Sequence, residues 1–129
     1  MKLFRLMKMA VDGKPLTGDS SMALGVRPTD PGEPNKRSDV SAVFGADSVE
    51  PGKGGLSCYS DPSEIRLKAK KLALWSIDVN DLPDELIAKP AGEPHFHIEP
   101  KAVMTLDQFQ ERLADTRNLW QRVESEDEK

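Results

Sequence analysis

Three titratable residues alternate along one short segment, and they are the strongest candidates for chemistry in this chain. His95, His97 and Glu99 are separated by Phe96 and Ile98. Side chains in an extended strand alternate between its two faces, so the titratable residues share one face and the apolar pair shares the other. Two histidines at this spacing can chelate a metal ion with a carboxylate as third ligand. The simpler interpretation is a polar strand face that looks into solvent or into a cleft.

A metal site is the weaker of these two interpretations. The segment resembles part of the metal-binding motif of cupins, but the cupin glutamate normally lies further along the chain. The chain also has only two histidines, so no second histidine-bearing motif exists. Because zinc sites need three or four ligands and only one strand of this sequence offers candidates, we expect no bound metal.

Other polar or reactive groups give weaker signals. The run Gly52-Lys53-Gly54-Gly55 lacks the glycine spacing and the Lys-Ser/Thr ending of a phosphate-binding loop. Its missing side chains could instead kink the backbone or open a cleft wall beside Ser57. Cys58 is the only cysteine, has no nearby histidine, and is expected to be a small buried apolar residue. Arg66 and the lysines at 68, 70 and 71 are expected to form a solvated basic face.

Length and composition limit the class of protein. The 129 residues suit one domain, and the 37% hydrophobic fraction allows one modest core. No stretch approaches the roughly 18 apolar residues of a membrane span, and the N-terminal segment is too often charged for a signal peptide. We therefore expect a cytoplasmic protein that does not bind membranes. The tail 124–129 has four acidic residues and one lysine, so it carries −3 of the net charge of −4. The rest of the chain has a net charge of −1, and this nearly neutral balance gives no case for nucleic-acid binding.

The elements that must position these residues fall into three regions. Residues 3–9 are predicted to form a first strand with both faces partly apolar, which suits the interior of a sheet. Residues 12–55 hold 8 of the 9 glycines and 5 of the 10 prolines, so no long helix is expected there. Within this part, 24–28 is predicted to be extended and 30–39 to be an exposed loop.

The third region, from residue 56 onward, is more regular. Strands are predicted at 56–59, 74–79 and 94–100, a turn or helix start at 61–64, and a helical turn within 80–87. A helix is predicted at 105–123 because Thr105 and Gln108 have the spacing of a capping box. Its apolar stripe has a polar gap at Thr116 and consists of Leu106, Phe109, Leu113, Trp120 and Val123.

These elements predict one α+β domain over residues 1–123, followed by an acidic tail at 124–129. The fold is expected to be a compact mixed sheet, mainly antiparallel, with the C-terminal amphipathic helix docked against it. Residues 12–55 form the Gly/Pro-rich loop region of this domain.

Several short phrases resemble a group of small bacterial proteins and are similar to a type VI secretion toxin family with an ADP-ribosyltransferase-like fold. The phrases are Leu3-Phe4-Arg5, Leu24-Gly25-Val26-Arg27-Pro28, Pro51-Gly52-Lys53-Gly54-Gly55-Leu56-Ser57, Trp75-Ser76-Ile77-Asp78, and His97-Ile98-Glu99-Pro100 leading to Met104-Thr105-Leu106.

The resemblance implies an ADP-ribosyltransferase-like fold that binds NAD, as a toxin, a toxin-derived transferase or an NAD glycohydrolase. It assigns cofactor binding to Arg5 on the first strand and to Ser57, and catalysis to Glu99 with His97. An arginine can pair with a dinucleotide phosphate through two parallel hydrogen bonds. A carboxylate can stabilise an oxocarbenium-like transition state as nicotinamide leaves. The serine strand reads Leu56-Ser57-Cys58-Tyr59 rather than the usual Ser-Thr-Ser, and His97 stands where many transferases have Gln or Glu.

A non-catalytic function is the alternative. The chain could be an interaction module that forms one half of a bacterial protein pair, with a partner of the immunity or antitoxin type and the Gly/Pro-rich segment as its contact loop. A cleft that contains Arg5, Ser57 and the His97/Glu99 face would favour NAD binding, whereas a flat apolar patch with dispersed polar residues would favour the module.

Overall fold

The computed structural model describes residues 1–29, 32–33, 37–40, 47–66 and 72–123, with only the backbone at 64 and 66. The acidic tail 124–129 and the lysines of the basic run lie outside these residues. Of the predicted exposed loop at 30–39, the structure describes 32–33 and 37–39. Residues 32, 33, 37 and 38 are exposed, as expected.

A six-stranded antiparallel sheet forms the centre of the described chain. Its spatial order is β5-β6-β3-β1-β4-β8, and β2 pairs with β7 in a separate two-stranded sheet. The strands in chain order are β1 (Lys2–Met7), β2 (Ser48–Val49), β3 (Leu56–Tyr59), β4 (Ala73–Asp78), β5 (Leu86–Pro90), β6 (His95–Pro100), β7 (Met104–Thr105) and β8 (Gln121–Arg122).

Helical structure is sparse in the described residues. Helix α1 covers Ser63–Arg66 and α2 covers Leu106–Asp115, and two 3₁₀ turns cover Val79–Asp81 and Thr116–Leu119. The protein is therefore an α+β protein with a mainly antiparallel sheet and a C-terminal helix, as predicted. Within the described ranges, no helix has the length and apolar character needed to cross a membrane.

The core lies on one face of the sheet, where α2 packs. Along β1, every second side chain is buried, which places Leu3, Arg5 and Met7 on this face. Helix α2 begins with the predicted capping box of Thr105 and Gln108. Its buried residues join one hydrophobic cluster with the sheet residues, and they are Leu106, Phe109 and Leu113.

The helix prediction at 105–123 is wrong at its C-terminal end. The α-helix ends at Asp115 and tightens into a 3₁₀ turn that starts at Thr116. The Thr116 hydroxyl donates to the Leu113 carbonyl at 2.6 Å, and such bonds compete with the regular helical pattern. Trp120 has an extended backbone yet is buried, with its indole N–H donating to Thr116 Oγ1 at 3.0 Å. Val123 follows β8 and is only half-buried.

The predicted strands are confirmed within two residues at their ends, but the helical turn predicted at 80–87 is wrong in position. The turn is at Val79–Asp81, where the Asp78 side chain accepts from the Asn80 N–H. It ends at Leu82, whose backbone is extended because Pro83 follows it. Strand β5, which begins at Leu86, was not predicted. The Gly/Pro-rich region has no helix in its described part, as expected.

Candidate functional site

The central strands β1 and β3 pair at one position only, between Phe4 and Tyr59. No paired positions follow toward Met7 and Leu56, so the sheet is open between these parts of the two strands. The Arg5 guanidinium spans the opening, and its Nη1 donates to the Ser57 carbonyl at 2.8 Å. A cavity of about 190 Å³ lies here, lined by Arg5, Leu6, Ser21, Arg27, Asp39, Ser57, Tyr59 and Ile65.

Arg5 is a buried cation, with 7% of its surface exposed. Its Nη2 donates to the carbonyls of Ala23 at 2.7 Å and Ser21 at 3.3 Å, and its Nε is buried without a partner. Burial lowers the pKa of Arg5, and Cys58 and Asp39 act in the opposite direction. Among the described residues, no carboxylate lies within ion-pair distance of Arg5. An arginine stays protonated in a protein, so the cavity wall carries a positive charge with no direct counter-ion.

Arg27 and Asp39 form a charged pair at the wall of the cavity. The Asp39 carboxylate accepts from Arg27 Nε at 3.1 Å, Nη2 at 2.9 Å and the backbone N–H at 2.7 Å. The Arg27 carbonyl accepts from the Asp39 N–H at 2.8 Å. The hydrogen bonds with Asp39 raise the pKa of Arg27. This bidentate pair therefore fixes the Arg27 guanidinium at the cavity wall.

Helix α2 holds the segment that precedes Arg27. The Gln110 side chain accepts from the Val26 N–H at 3.0 Å and donates to the Val26 carbonyl at 2.8 Å, as a neighbouring strand would. Gly25 has a φ of +154°, and a Cβ there would overlap the Gly18 carbonyl oxygen. Only glycine fits this close approach, so Gly25 and Gln110 together set the position of Arg27.

Ser57, His97 and Glu99 share the sheet face opposite the core. Ser57 is exposed on β3 and lies directly across from His97 on β6. His97 Nδ1 is 3.8 Å from a carboxylate oxygen of Glu99. The predicted alternation of β6 is confirmed at its centre, since Phe96 and Ile98 are buried on the core face and His97 is not.

Glu99 is more deeply placed than the sequence suggested, with 5% of its surface exposed. Its Oε1 accepts from the Gly52 N–H at 2.8 Å and so ties the 51–54 turn to β6. His95, at the other end of the strand, contacts the Tyr59 ring with a centroid distance of 4.7 Å. The three titratable residues of β6 therefore have three different environments.

The structure brings the four predicted site residues onto three adjacent strands, but not into one pocket. Arg5 and Ser57 line the same cavity, although their side chains alternate onto opposite sheet faces. His97 and Glu99 do not line it, but His97 is the cross-strand neighbour of Ser57. Convergence of all four side chains in one cleft is therefore wrong, because β1 places Arg5 on the core face. The side chains of Arg5 and Ser57 lie on opposite faces, so they could not both contact one ribose, and the expected shared contact of these two residues fails.

Sequence reasoning missed Arg27 and Asp39. Arg27 belongs to one of the sequence phrases on which the resemblance rests, but the resemblance gives it no role. Asp39 is the last residue of the segment 30–39, which was predicted only to be an exposed loop. The only sequence signal for Arg27 is Pro28, because a proline restricts the backbone of the residue before it. The pairing of Arg27 with Asp39 requires the intervening loop to bring together two residues 12 positions apart, which the sequence does not show.

No group of three or more histidine, cysteine or acidic residues within reach of a common metal ion occurs in the part of the chain that the structure describes. Comparisons of the chain with protein-family models, with curated proteins and with solved structures gave no match.

Proposed function

We propose that the protein is an NAD-binding, ADP-ribosyltransferase-like protein whose site comprises the cavity between β1 and β3 and the adjoining face of Ser57 and His97. The observation that carries the proposal is that Arg5 and Ser57 line the same cavity. The resemblance assigns cofactor binding to both residues, which are 52 positions apart in sequence. A dinucleotide phosphate would compensate the buried Arg5 charge.

The cavity fits part of a dinucleotide. Its volume of about 190 Å³ is below the roughly 300–1,000 Å³ typical of pockets that enclose a whole ligand. The charged middle of NAD would enter it, and the nicotinamide ribose would lie across the exposed face of Ser57 and His97. When bound, NAD supplies a nicotinamide leaving group. The Ser57 hydroxyl would hold a ribose hydroxyl.

Burial divides the roles of His97 and Glu99. His97 is half-exposed and can contact a ligand on this face, whereas Glu99 is buried and tied to the Gly52 N–H. A carboxylate near Nδ1 of a histidine orients the ring. We assign His97 to contact with the ligand and Glu99 to the orientation of the His97 ring.

Calorimetric titration with NAD, followed by an assay of nicotinamide release, tests this proposal. Ser57→Ala should weaken NAD binding by about 1 kcal/mol, the scale of one neutral hydrogen bond. Ser48→Ala, which removes an exposed strand hydroxyl outside this cavity, should leave binding unchanged. Absence of saturable NAD binding to the folded wild-type chain would refute the proposal.

The second candidate function is a protein-interaction module, and a specific surface favours it. Within the described chain, four of the six exposed large hydrophobic residues lie between positions 9 and 22, two just before the loop region and two inside it, and they are Met9, Val11, Leu16 and Met22. Backbone hydrogen bonds from Lys8 to Met22 and from Leu16 to Lys8 place these segments side by side. A clustered apolar surface of this kind is typical of a contact with a partner protein, here of the immunity or antitoxin type.

Site-specific cross-linking in the native host tests this second candidate. A cross-linker at Leu16 or at Met22 should capture the same protein, and one at the exposed Lys101 should not. The capture should be lost when Met9 is replaced by Asp. Equal capture from all three positions would count against a specific contact surface.

A further inference from the structure

Among the residues that the structure describes, the lining of the cavity between β1 and β3 includes two guanidinium groups and one carboxylate. Arg5, Arg27 and Asp39 all line it, so these three residues together carry one net positive charge. Asp39 is committed to Arg27 through a bidentate pair, and Arg5 binds only backbone carbonyls. A buried cation without a paired anion is costly, and an anion that enters the cavity would remove that cost.

Arg27 is presented differently from Arg5. Its side chain is 27% exposed, whereas Arg5 is almost fully buried. The hydrogen bonds to Asp39 use Nε and Nη2 and leave Nη1 uncommitted to that carboxylate. The Asp39 pair and the Gln110 bonds to Val26 hold the group in place before any ligand arrives. Arg27 therefore has the accessibility and the fixed orientation that anion binding requires.

We infer that Arg27, positioned by Asp39, is the residue that contacts the anionic group of the ligand, and that this group is a diphosphate. The inference deepens the proposed function and rests on it for the dinucleotide. The cavity volume of about 190 Å³ is below the roughly 300–1,000 Å³ of pockets that enclose a whole ligand, which suits one charged group of the ligand. Among the described lining residues, two arginines stand against one carboxylate, and this excess of positive charge favours a multiply charged anion over a neutral group.

Calorimetric titration with inorganic pyrophosphate tests the charged group separately from the dinucleotide. Arg27→Gln should weaken pyrophosphate binding about tenfold, the scale of one charge-assisted hydrogen bond. Arg122→Gln, which changes an exposed arginine on β8 by the same chemistry, should leave the affinity within about twofold. Equal weakening in both variants would mean that only the overall charge of the protein matters.

The double variant Arg27→Gln/Asp39→Asn separates direct contact from net charge. It removes one positive and one negative charge, so the net charge of the three residues stays the same, and two amides can still hydrogen-bond. Direct contact by Arg27 predicts the same loss of about tenfold as in the single variant. Wild-type affinity in the double variant would overturn the inference. The double variant also leaves no unpaired carboxylate if Arg27→Gln alone fails to fold.

Two further arms separate this inference from the proposed function. Pyrophosphate binding that depends on Arg27, with no NAD binding, would support the anion site and refute the NAD proposal. NAD binding that is unchanged in Arg27→Gln would refute the role of Arg27 and leave the NAD proposal standing. Succinate should bind at least about tenfold more weakly than pyrophosphate, and equal affinities would overturn the assignment to phosphate.

Discussion

The side chain of Arg5 contacts the backbone of Ser57. The Arg5 guanidinium donates to the Ser57 carbonyl at 2.8 Å, while the Ser57 hydroxyl points to the opposite face of the sheet. The strands are not paired at this level, so the guanidinium takes the place of a main-chain donor. Arg5 is thus part of the architecture of the cavity as well as a candidate contact for a ligand.

Replacing Arg5 should destabilise the fold. Arg5→Met keeps an apolar stem of similar length but leaves the carbonyls of Ser57 and Ala23 without their donors. We expect a loss of about 2–4 kcal/mol in the free energy of unfolding, since each unpaired buried group costs about 1–3 kcal/mol. Urea denaturation measures it. The exposed Arg122→Met should change stability by less than about 0.5 kcal/mol, and equal losses in the two variants would contradict the role given to Arg5.

Gly25 should be intolerant of a side chain. Gly25→Ala adds a Cβ where the Gly18 carbonyl and the Gln110 side chain already lie, and its φ of +154° disfavours other residues. We expect a loss above about 2 kcal/mol in the free energy of unfolding. Gly13→Ala is the matched control, because Gly13 also has a positive φ but nothing lies within 4 Å of its added Cβ. It should cost only about 1 kcal/mol, and a similar cost for both variants would show that no close approach exists.

The sequence predicted the parts of this fold that depend on local patterns. The alternation of β6 and the Thr105–Gln108 capping box follow from neighbouring residues, and both are present. The end of α2 was predicted too late because Trp120 continues the apolar periodicity while the Thr116 hydroxyl interrupts the backbone pattern. Strand β5 was not predicted because its first two residues fall in the segment 80–87 that was assigned a helical turn.

The site was harder to predict for a physical reason. The resemblance named Arg5 and Ser57, and a strand pattern could not show that the sheet opens between them. The pairing of Arg27 with Asp39 and the contact of Gln110 with Val26 join residues 12 and 84 positions apart. Such contacts are set by how the loops close over the sheet, and no periodicity in the chain encodes them.

The Cys58 thiol should be unreactive in the native protein. Burial raises the pKa of Cys58 from 9.0 to about 12, so little thiolate exists near neutral pH, and the group is enclosed. Ellman's reagent at pH 8 should react with it only as fast as the protein opens, and rapidly in urea. An immediate stoichiometric reaction in buffer would mean that Cys58 is accessible.

The same raised pKa gives a sign for the pH dependence of stability. Between pH 9.0 and about 12, the Cys58 thiol keeps its proton in the folded state but loses it in the unfolded state. The contribution of Cys58 to the free energy of unfolding is therefore fully present below pH 9.0 and is lost as the pH rises toward about 12. The free energy of unfolding of the wild type should therefore fall more steeply over this range than that of Cys58→Ala. Parallel pH profiles for the two proteins would contradict the shift.

Trp120 should contribute more to stability than any other residue after α2. It is 2% exposed, belongs to the main hydrophobic cluster and donates to Thr116 Oγ1. Trp120→Ala should cost about 3–5 kcal/mol in urea denaturation. Val123→Ala, on the half-buried residue after β8, should cost less than about 1 kcal/mol. Comparable losses would mean that the helix continues through residue 123 with both side chains on one stripe.

Glu99 has both a structural contact and a proposed functional one, and two substitutions separate them. Glu99→Gln keeps an oxygen that can accept from the Gly52 N–H, but it removes the charge beside His97. Glu99→Ala removes both. We expect Glu99→Ala to lose about 1–3 kcal/mol of unfolding free energy, because a partly buried N–H is left unpaired, and Glu99→Gln to lose less than about 1 kcal/mol.

If the carboxylate supports His97 in NAD cleavage, nicotinamide release should fall about 100-fold or more in both variants, the scale of a lost acid–base group. His97→Asn should give a similar loss of activity at wild-type stability. Wild-type cleavage in a folded Glu99→Gln variant would leave Glu99 with its structural role alone.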